Sequence, residues 1–304
     1  HAVSPQATDP AINVALDQHL VFLPTRGARN GRLFLFLASS RVPPAVSQIF
    51  EREAAMVGYH VIALSYPNTP GLASFCPAAS NPNACYDQVR RQIITGSPQT
   101  TFVSVNAANS VDNRLEKALA YLDAQYPEEG WSQFLDDEGG IKWKKIAVGG
   151  HSQGAGHAAM IAKLRFVDRV VLLSGVTDGV SNTGASWVTP GETPADRIYA
   201  LSHLRDAQFS PYYLANWQSL GLFDFGSAVA PEASFPPFDG VHTFVTDLLP
   251  ATGNYTAPAP HASTGVDFAV RLDGQGNPVL RPVWRYMLGY CPTPNEISLT
   301  PSCG

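Results

Sequence analysis

One short segment of the chain combines a possible nucleophile with very small residues on both sides of it. Residues 145–159 read as an apolar strand that passes through Gly150-His151-Ser152-Gln153-Gly154 into a small-residue helix. A Gly-x-Ser-x-Gly sequence at a strand-to-helix junction is typical of a serine nucleophile held on a sharp turn. The two glycines are expected because neighbouring backbone passes close to those positions. The segment therefore predicts nucleophilic catalysis by Ser152.

The helix predicted to begin after Ser152 points its N-terminal N–H groups and its positive dipole end toward the serine, where they can stabilise an oxyanion. Two other interpretations remain open: a glycine-rich turn without chemistry, and dinucleotide binding, because residues 154–159 also fit the loose form Gly-x-Gly-x-x-Ala. We favour the nucleophile because those glycines fall inside the predicted helix, too late for a phosphate-binding turn at the strand end.

Short apolar runs alternate with amphipathic segments along the chain, which predicts an α/β fold with a mainly parallel sheet. Helical patterns cover residues 46–56, 110–125 and 154–164, of which 110–125 is the clearest. The predicted strands are 19–23, 33–37, 60–65, 145–148, 169–173, 198–201 and 241–246.

No repeat or linker is visible, so residues 1–304 are expected to form a single domain. Segments 66–107 and 206–240 are rich in proline, glycine and aromatic residues, and we expect them to be ordered excursions from the rim of the sheet. The aromatic residues that could line a pocket, or simply pack, are Phe75, Trp187, Phe209, Tyr212, Tyr213, Trp217, Phe223 and Phe235.

From about residue 19 to residue 288 the chain resembles the α/β-hydrolase superfamily, on the strand, Gly-x-Ser-x-Gly turn and helix described above. The resemblance implies an eight-stranded, mostly parallel sheet flanked by helices, and a catalytic triad in the chain order nucleophile, acid, histidine. The chain is also similar to secreted bacterial hydrolases in residues 150–154, in the His-x-x-Asp of residues 203–206 and in Pro260-His261.

The resemblance implies an acid after one of the late strands. Asp206 follows the predicted strand 198–201, where the superfamily usually has its acid, and we expect it to be the triad carboxylate. Asp178, after the preceding strand, is the alternative acid. Either residue could instead be a helix cap or a turn carboxylate, the commoner role of a loop aspartate.

Of the eight histidines, only His242 and His261 follow Asp206. His242 begins a predicted strand and would lie at the wrong edge of the sheet, so His261 is the expected base. We expect His151 to shape the turn at Ser152, His157 to pack, and His203 to pack or to bond near the acid.

An oxyanion hole needs two donors. The first is expected to be the N–H of Gln153, directly after the nucleophile. The second, as the resemblance implies, belongs to the loop after strand 33–37, at Ser39 or Ser40. The His-Gly-Gly-Gly sequence of some lipases and esterases is absent from the chain.

Four cysteines allow three pairings, and none has the Cys-x-x-Cys spacing of zinc or redox sites. We predict the disulfides Cys76–Cys85 and Cys291–Cys303, because each pair brackets a short loop-like segment. Disulfides indicate an oxidising compartment, so we expect a secreted or periplasmic protein.

Net charge and motifs exclude several other classes. A formal net charge of −5 and a pI of about 5.9 argue against a nucleic-acid partner. The apolar runs are shorter than the roughly 20 residues that an integral membrane helix needs. The sequence contains no metal-binding, calcium-loop or phosphate-loop motif, so no metal and no cofactor are expected.

These features together predict a secreted serine hydrolase that cleaves small-molecule or polymeric carboxylic esters through an acyl-enzyme on Ser152. Two alternatives remain: a serine peptidase or acyltransferase that uses the same triad, and a non-catalytic binding protein that kept only the turn.

Overall fold

An eight-stranded sheet forms the centre of the protein in a computed structural model that describes residues 1–25, 29–207 and 210–290. The strands are β1 (Ala2–Val3), β2 (His19–Phe22), β3 (Leu33–Leu37), β4 (His60–Leu64), β5 (Ile146–His151), β6 (Arg169–Leu173), β7 (Gly179–Val180), β8 (Thr183–Gly184), β9 (Ile198–His203) and β10 (Thr243–Thr246).

The sheet has the order β1-β2-β4-β3-β5-β6-β9-β10, and β7 pairs separately with β8. Within the eight-stranded sheet, the pairs β1–β2 and β2–β4 are antiparallel, and every later neighbouring pair is parallel. The predicted α/β class and the mostly parallel eight-stranded sheet are therefore confirmed. The parallel strands direct their carboxyl ends to one edge, where loops from distant parts of the chain meet.

Two predicted strands, 33–37 and 169–173, have the observed bounds. β5 is longer than its prediction of 145–148 and continues to His151, so the strand runs directly into Ser152. β9 likewise extends past its predicted end to His203. The sequence does not predict β1, because a two-residue edge strand shows no periodicity.

Helices cover both faces of the sheet. Residues of β3 alternate between two apolar clusters: Leu33, Leu35 and Leu37 face one side, while Phe34 and Phe36 face the other. The helices are α1 (Pro5–Thr8), α2 (Gln48–Met56), α3 (Pro82–Thr95), α4 (Val111–Gln125), α5 (Gln153–Leu164), α6 (Ser210–Ser219), α7 (Ala259–Ala262) and α8 (Arg281–Met287). The first cluster includes residues of α3, α4 and α5, and the second includes residues of α2 and α8.

The excursion 66–107 contains a helix, α3, that the sequence analysis does not predict. Asn81 caps its first turn by accepting from the N–H of Ala84 at 3.1 Å, and Gly96 ends it with φ 73°. The apolar period is hard to see because the buried face of α3 includes two polar side chains, Arg90 and Gln92. Part of this excursion is therefore helical.

The Cys76–Cys85 disulfide is present, with a sulfur–sulfur distance of 2.01 Å, and it joins the loop before α3 to the first turn of that helix. The other predicted pair, Cys291–Cys303, lies outside the described residues. None of the helices formed by the described residues combines the length and apolar character that a bilayer span requires.

Candidate active site

Ser152 occupies the sharp turn between β5 and α5, with φ 57° and ψ −115°. Its N–H donates to the carbonyl of Leu173 on the neighbouring strand at 2.8 Å. Such a conformation costs a non-glycine residue on the order of 1–3 kcal/mol and persists only where the surroundings fix it. The turn therefore has the geometry of a nucleophile elbow, and we use that name for residues 150–154.

The elbow leaves no room for a side chain at either glycine. A Cβ atom on Gly154 would lie 1.9 Å from the carbonyl oxygen of Leu37, and one on Gly150 would lie 2.4 Å from the carbonyl carbon of Gly154. Real Cβ atoms do not approach backbone this closely. The requirement for very small residues on both sides of Ser152, which the sequence predicts, is therefore confirmed.

Asp206 and His261 contact each other, although they are 55 residues apart in sequence. Asp206 lies in the turn after β9, and His261 lies in α7, beyond the end of β10. The Nδ1 atom of His261 is 2.6 Å from Oδ2 of Asp206. The carboxylate is only 5% exposed. An Nδ1–H donated to this carboxylate makes Nε2 the ring nitrogen that would accept a proton.

The backbone of His261 accepts hydrogen bonds from the elbow and from the residue that follows β6. Its carbonyl oxygen accepts from Nε2 of His151, the residue before Ser152, at 2.8 Å. The same oxygen accepts from Oγ of Ser174 at 2.7 Å, and Ser174 directly follows Leu173. The rings of His151 and His261 are 4.9 Å apart. The structure thus brings Asp206, His261 and the elbow together at one edge of the sheet.

His151 is held in one tautomer. Because Nε2 donates to a carbonyl, Nδ1 is left to accept, and the hydroxyl of Ser39 lies 2.5 Å from it. Burial, and then the neighbouring His261, lower the pKa of His151 to about 3. The neutral ring therefore connects the loop after β3 with the backbone of His261, which fits its predicted role in shaping the elbow.

The loop and the helix that carry the expected oxyanion donors contact each other. Gln153 is the first residue of α5, so its N–H has no acceptor within the helix. Its side-chain oxygen accepts from the hydroxyl of Ser40 at 2.8 Å and from the N–H of Leu72 at 2.9 Å. The hydroxyl of Ser39 contacts His151 instead. These contacts hold the 39–40 loop against the start of α5.

Asp178, the alternative acid, contacts an arginine. Nε and Nη2 of Arg90 donate to its two oxygens at 2.6 and 2.5 Å, and Nε1 of Trp187 donates at 2.8 Å. Arg90 and Asp178 are both fully buried, and Nη1 of Arg90 also donates to the carbonyl of Gln153 at 3.0 Å. Asp178 thus holds Arg90 beneath the elbow, whereas Asp206 contacts His261.

Tyr213 also lies at the site, although no sequence pattern places it there. Its hydroxyl donates to Oδ2 of Asp206 and lies 3.0 Å from Nδ1 of His261. Burial, and then the charge of Asp206, raise the pKa of Tyr213 well above its usual range, so the phenol stays neutral. The sequence names it only as one of several aromatic residues, because nothing in the spacing of 206 and 213 distinguishes it.

The remaining histidines of interest have structural contacts. His203 accepts from the N–H of Arg205 at 3.0 Å, and its Nε2 is 2.9 Å from the carbonyl of Leu248. His242 precedes β10 at the amino end of the strand, as expected, where its ring stacks on Tyr199. His157 is buried in α5, as predicted for a packing residue.

A cavity of about 470 Å³ lies beside the 39–40 loop. Ala38 and Arg41, the residues on either side of that loop, contribute to its wall, together with Tyr66 and Asn68 from the segment after β4. A group bound in the cavity would contact residues that flank Ser39 and Ser40. Over the described ranges 1–25, 29–207 and 210–290, no group of three or more His, Cys, Asp or Glu side chains is arranged to hold a metal ion.

Comparisons with known proteins add distant structural similarities. No protein-family model and no curated protein sequence matches the chain. A carboxylesterase from Mesorhizobium loti is 13% identical, with a TM-score of 0.33 over 76% of this chain and 85% of that one. An α/β serine hydrolase without a lid from Xanthomonas campestris is 12% identical, with a TM-score of 0.33 over 66% and 71%. An esterase from the planctomycete Thermogutta terrifontis is 11% identical, with a TM-score of 0.39 over 82% and 80%.

At these identities and TM-scores, the similar structures carry no argument about activity, and the fold class rests on the strand order and on the elbow. An eight-stranded sheet with an antiparallel second strand, and a serine elbow between β5 and the next helix, define the α/β-hydrolase fold.

Proposed function

We propose that this protein is a serine hydrolase that cleaves carboxylic esters through an acyl-enzyme on Ser152. The observation that supports this most strongly is the position of His261. Its ring is hydrogen-bonded to Asp206, and its carbonyl oxygen accepts a hydrogen bond from His151, the residue before Ser152. These two contacts support the proposal, because a triad needs a histidine that is oriented by a carboxylate and held close to the nucleophile.

In the proposed reaction the hydroxyl oxygen of Ser152 attacks the ester carbonyl while Nε2 of His261 takes its proton. Asp206 accepts from Nδ1–H and stabilises the imidazolium. The tetrahedral intermediate expels the alcohol, which receives the proton from His261, and leaves the acyl group on Ser152. Water then attacks the acyl-enzyme with His261 again as the base, and the carboxylic acid departs.

The oxyanion of each tetrahedral intermediate is proposed to be bound by the N–H of Gln153 and by a donor of the 39–40 loop, with Ser39 preferred. The start of α5 adds its positive dipole end. Loss of one such donor costs roughly 3–4 kcal/mol of transition-state stabilisation in hydrolases of this kind.

Esters are preferred to amides because of the resemblance to the α/β-hydrolase superfamily. The alternatives are a serine peptidase or acyltransferase on the same triad, and a binding protein that kept the elbow without catalysis. The Cys76–Cys85 disulfide supports an oxidising compartment, and we propose a secreted or periplasmic location.

Hydrolysis of nitrophenyl esters of two to eight carbons, beside peptide anilides, tests the proposal. We expect turnover of esters that is lost in Ser152→Ala, while thermal unfolding of that variant stays close to wild type. Faster cleavage of anilides would support a peptidase. Absence of turnover on every substrate would support the non-catalytic alternative.

A further inference from the structure

The carboxylate of Asp206 receives two hydrogen bonds on the same oxygen. Oδ2 accepts from Nδ1 of His261 at 2.6 Å, and the hydroxyl of Tyr213 also donates to it. The phenol oxygen is in turn 3.0 Å from Nδ1 of His261. The three side chains therefore form a closed triangle, in which the phenol contacts both partners of the proposed acid–base pair.

Tyr213 is held rigidly in this position by α6. The helix is attached to the loop after β6, because Nε1 of Trp217 donates to the carbonyl of Gly175 at 2.9 Å. Asn216 donates from Nδ2 to the carbonyls of Val176 and Asp178, each at 2.9 Å. Tyr213 itself is 1% exposed and stacks on Trp217. Its hydroxyl is thus a fixed donor.

We propose that Tyr213 is a positioning residue of the triad, whose hydroxyl fixes the Asp206 carboxylate and limits how strongly that carboxylate attracts the proton on Nδ1 of His261. This inference rests on the proposed function, since it concerns the same acid–base pair.

A buried carboxylate needs hydrogen-bond donors, and a neutral phenol supplies one without adding a charge. The phenol also competes with Nδ1–H for the electron density of Oδ2. Without it, the carboxylate interacts more strongly with the imidazolium and makes the histidine a better proton acceptor but a poorer proton donor. The hydroxyl therefore keeps His261 able both to take a proton from Ser152 and to return it to the leaving alcohol.

Several titratable or polar groups face His261, and each must be considered in a pH profile. Asp206 approaches from the turn after β9, Tyr213 from α6 and His151 from the end of β5. His151 stays neutral over the working range, because burial lowers its pKa to about 3. Ser174 donates to the carbonyl oxygen of His261, and its side chain also hydrogen-bonds Tyr213.

The test is the pH dependence of kcat/KM for a nitrophenyl ester in wild type, Tyr213→Phe and Tyr212→Phe. Tyr212 is the matched control, because it precedes Tyr213 in α6 and its ring packs beside Gly179 of β7 instead of the acid–base pair. We expect Tyr213→Phe to lower kcat/KM at neutral pH by roughly tenfold and to move the acidic limb of the profile to higher pH. Tyr212→Phe should superpose on wild type. A superposing Tyr213→Phe profile overturns the inference.

A double-mutant cycle with Asp206→Asn separates positioning from general packing. If Tyr213 acts through the carboxylate, Tyr213→Phe has little further effect on the residual rate of Asp206→Asn. An equal loss in both backgrounds contradicts the inference. Should Tyr213→Phe fold poorly, 3-fluorotyrosine at position 213 keeps the ring and strengthens the donor, and the acidic limb must then move to lower pH.

The two proposals fail in different ways. If wild type hydrolyses no ester and takes up no fluorophosphonate, the proposed function is wrong and the inference falls with it. If wild type hydrolyses esters while position 213 leaves the pH profile unchanged in both variants, the inference alone is wrong.

Discussion

His151 donates a hydrogen bond from Nε2 to the carbonyl oxygen of His261 at 2.8 Å, and its other ring nitrogen contacts the hydroxyl of Ser39. The residue before the proposed nucleophile therefore supports the backbone of the proposed base. It also connects that base to the loop expected to supply an oxyanion donor. This neutral imidazole thus connects the loop at Ser39, the elbow and the backbone of His261, which are distant in sequence.

Replacing His151 should impair catalysis. His151→Phe keeps an aromatic ring but leaves the carbonyl of His261 and the hydroxyl of Ser39 without this partner. We expect kcat/KM to fall by roughly tenfold or more and the free energy of unfolding to fall by about 1–3 kcal/mol. Ester hydrolysis and urea unfolding measure the two effects.

His157 provides the matched control, since it is another buried histidine close to Ser152. Neither of its ring nitrogens has a hydrogen-bond partner among the described residues, and burial, then Arg90, keep its pKa well below the usual range. His157→Phe should therefore retain activity and be at least as stable as wild type. Equal activity losses in the two variants would show that the contacts of His151 are not what matters.

The same substitution should mainly reduce activity at one candidate acid and mainly reduce stability at the other. Asp206→Asn is expected to lower kcat/KM by roughly 1,000-fold or more with modest loss of stability, because the amide cannot stabilise the imidazolium. Asp178→Asn removes a charge from a fully buried pair with Arg90, which costs about 3–5 kcal/mol of stability. If Asp206→Asn retained activity, the role of triad acid would have to be assigned to another residue.

The elbow glycines should tolerate no added carbon. Gly154→Ala places Cβ 1.9 Å from the carbonyl oxygen of Leu37, so backbone must move and the protein should lose about 1–3 kcal/mol or more of stability, together with activity. Gly274→Ala is the control, because its Cβ would meet nothing within 4 Å, and its effect should be within roughly 0.5 kcal/mol. Thermal unfolding of both variants provides the measurement, and similar shifts would refute the steric argument.

Glu51 should make stability depend on pH. Its carboxyl is fully buried without a hydrogen-bond partner among the described residues. Burial, and then the charge of Asp267, raise its pKa well above the ordinary value of 4.5. Above pH 4.5 the unfolded chain ionises this group while the folded protein keeps it protonated. Stability therefore falls as pH rises, by about 1.4 kcal/mol per unit until the folded pKa is reached.

Glu51→Gln removes this dependence without changing the shape of the side chain. The variant should gain stability over wild type progressively as the pH rises above 4.5, as measured by urea unfolding. A difference between the two proteins that is constant with pH would contradict the prediction.

The sequence predicts the sheet well because buried parallel strands are short apolar runs that differ sharply from their surroundings. It also points to Ser152, Asp206 and His261, since chain order and strand ends restrict the choice. Their meeting at one edge follows from parallel topology, which the alternating pattern already indicates.

The supporting residues could not be predicted in the same way. Tyr213 donates a hydrogen bond to Asp206, and Ser174 donates one to the backbone of His261. Both contacts depend on how α6 and the loop after β6 pack, and no local spacing in the sequence reflects such tertiary contacts. Arg90 is polar yet fully buried, so it interrupts the apolar period of its own helix and hides that helix from pattern analysis.

The reaction of Ser152 with a fluorophosphonate tests the central claim most directly. The rate of adduct formation, followed by intact mass and mapped by peptide analysis, should be measured in wild type and in His261→Ala. We predict one phosphonyl group per chain, located on Ser152, and a rate at least about 100-fold lower in His261→Ala, because the hydroxyl then lacks its general base. Labelling at another residue, or equal rates in the two proteins, would contradict the account.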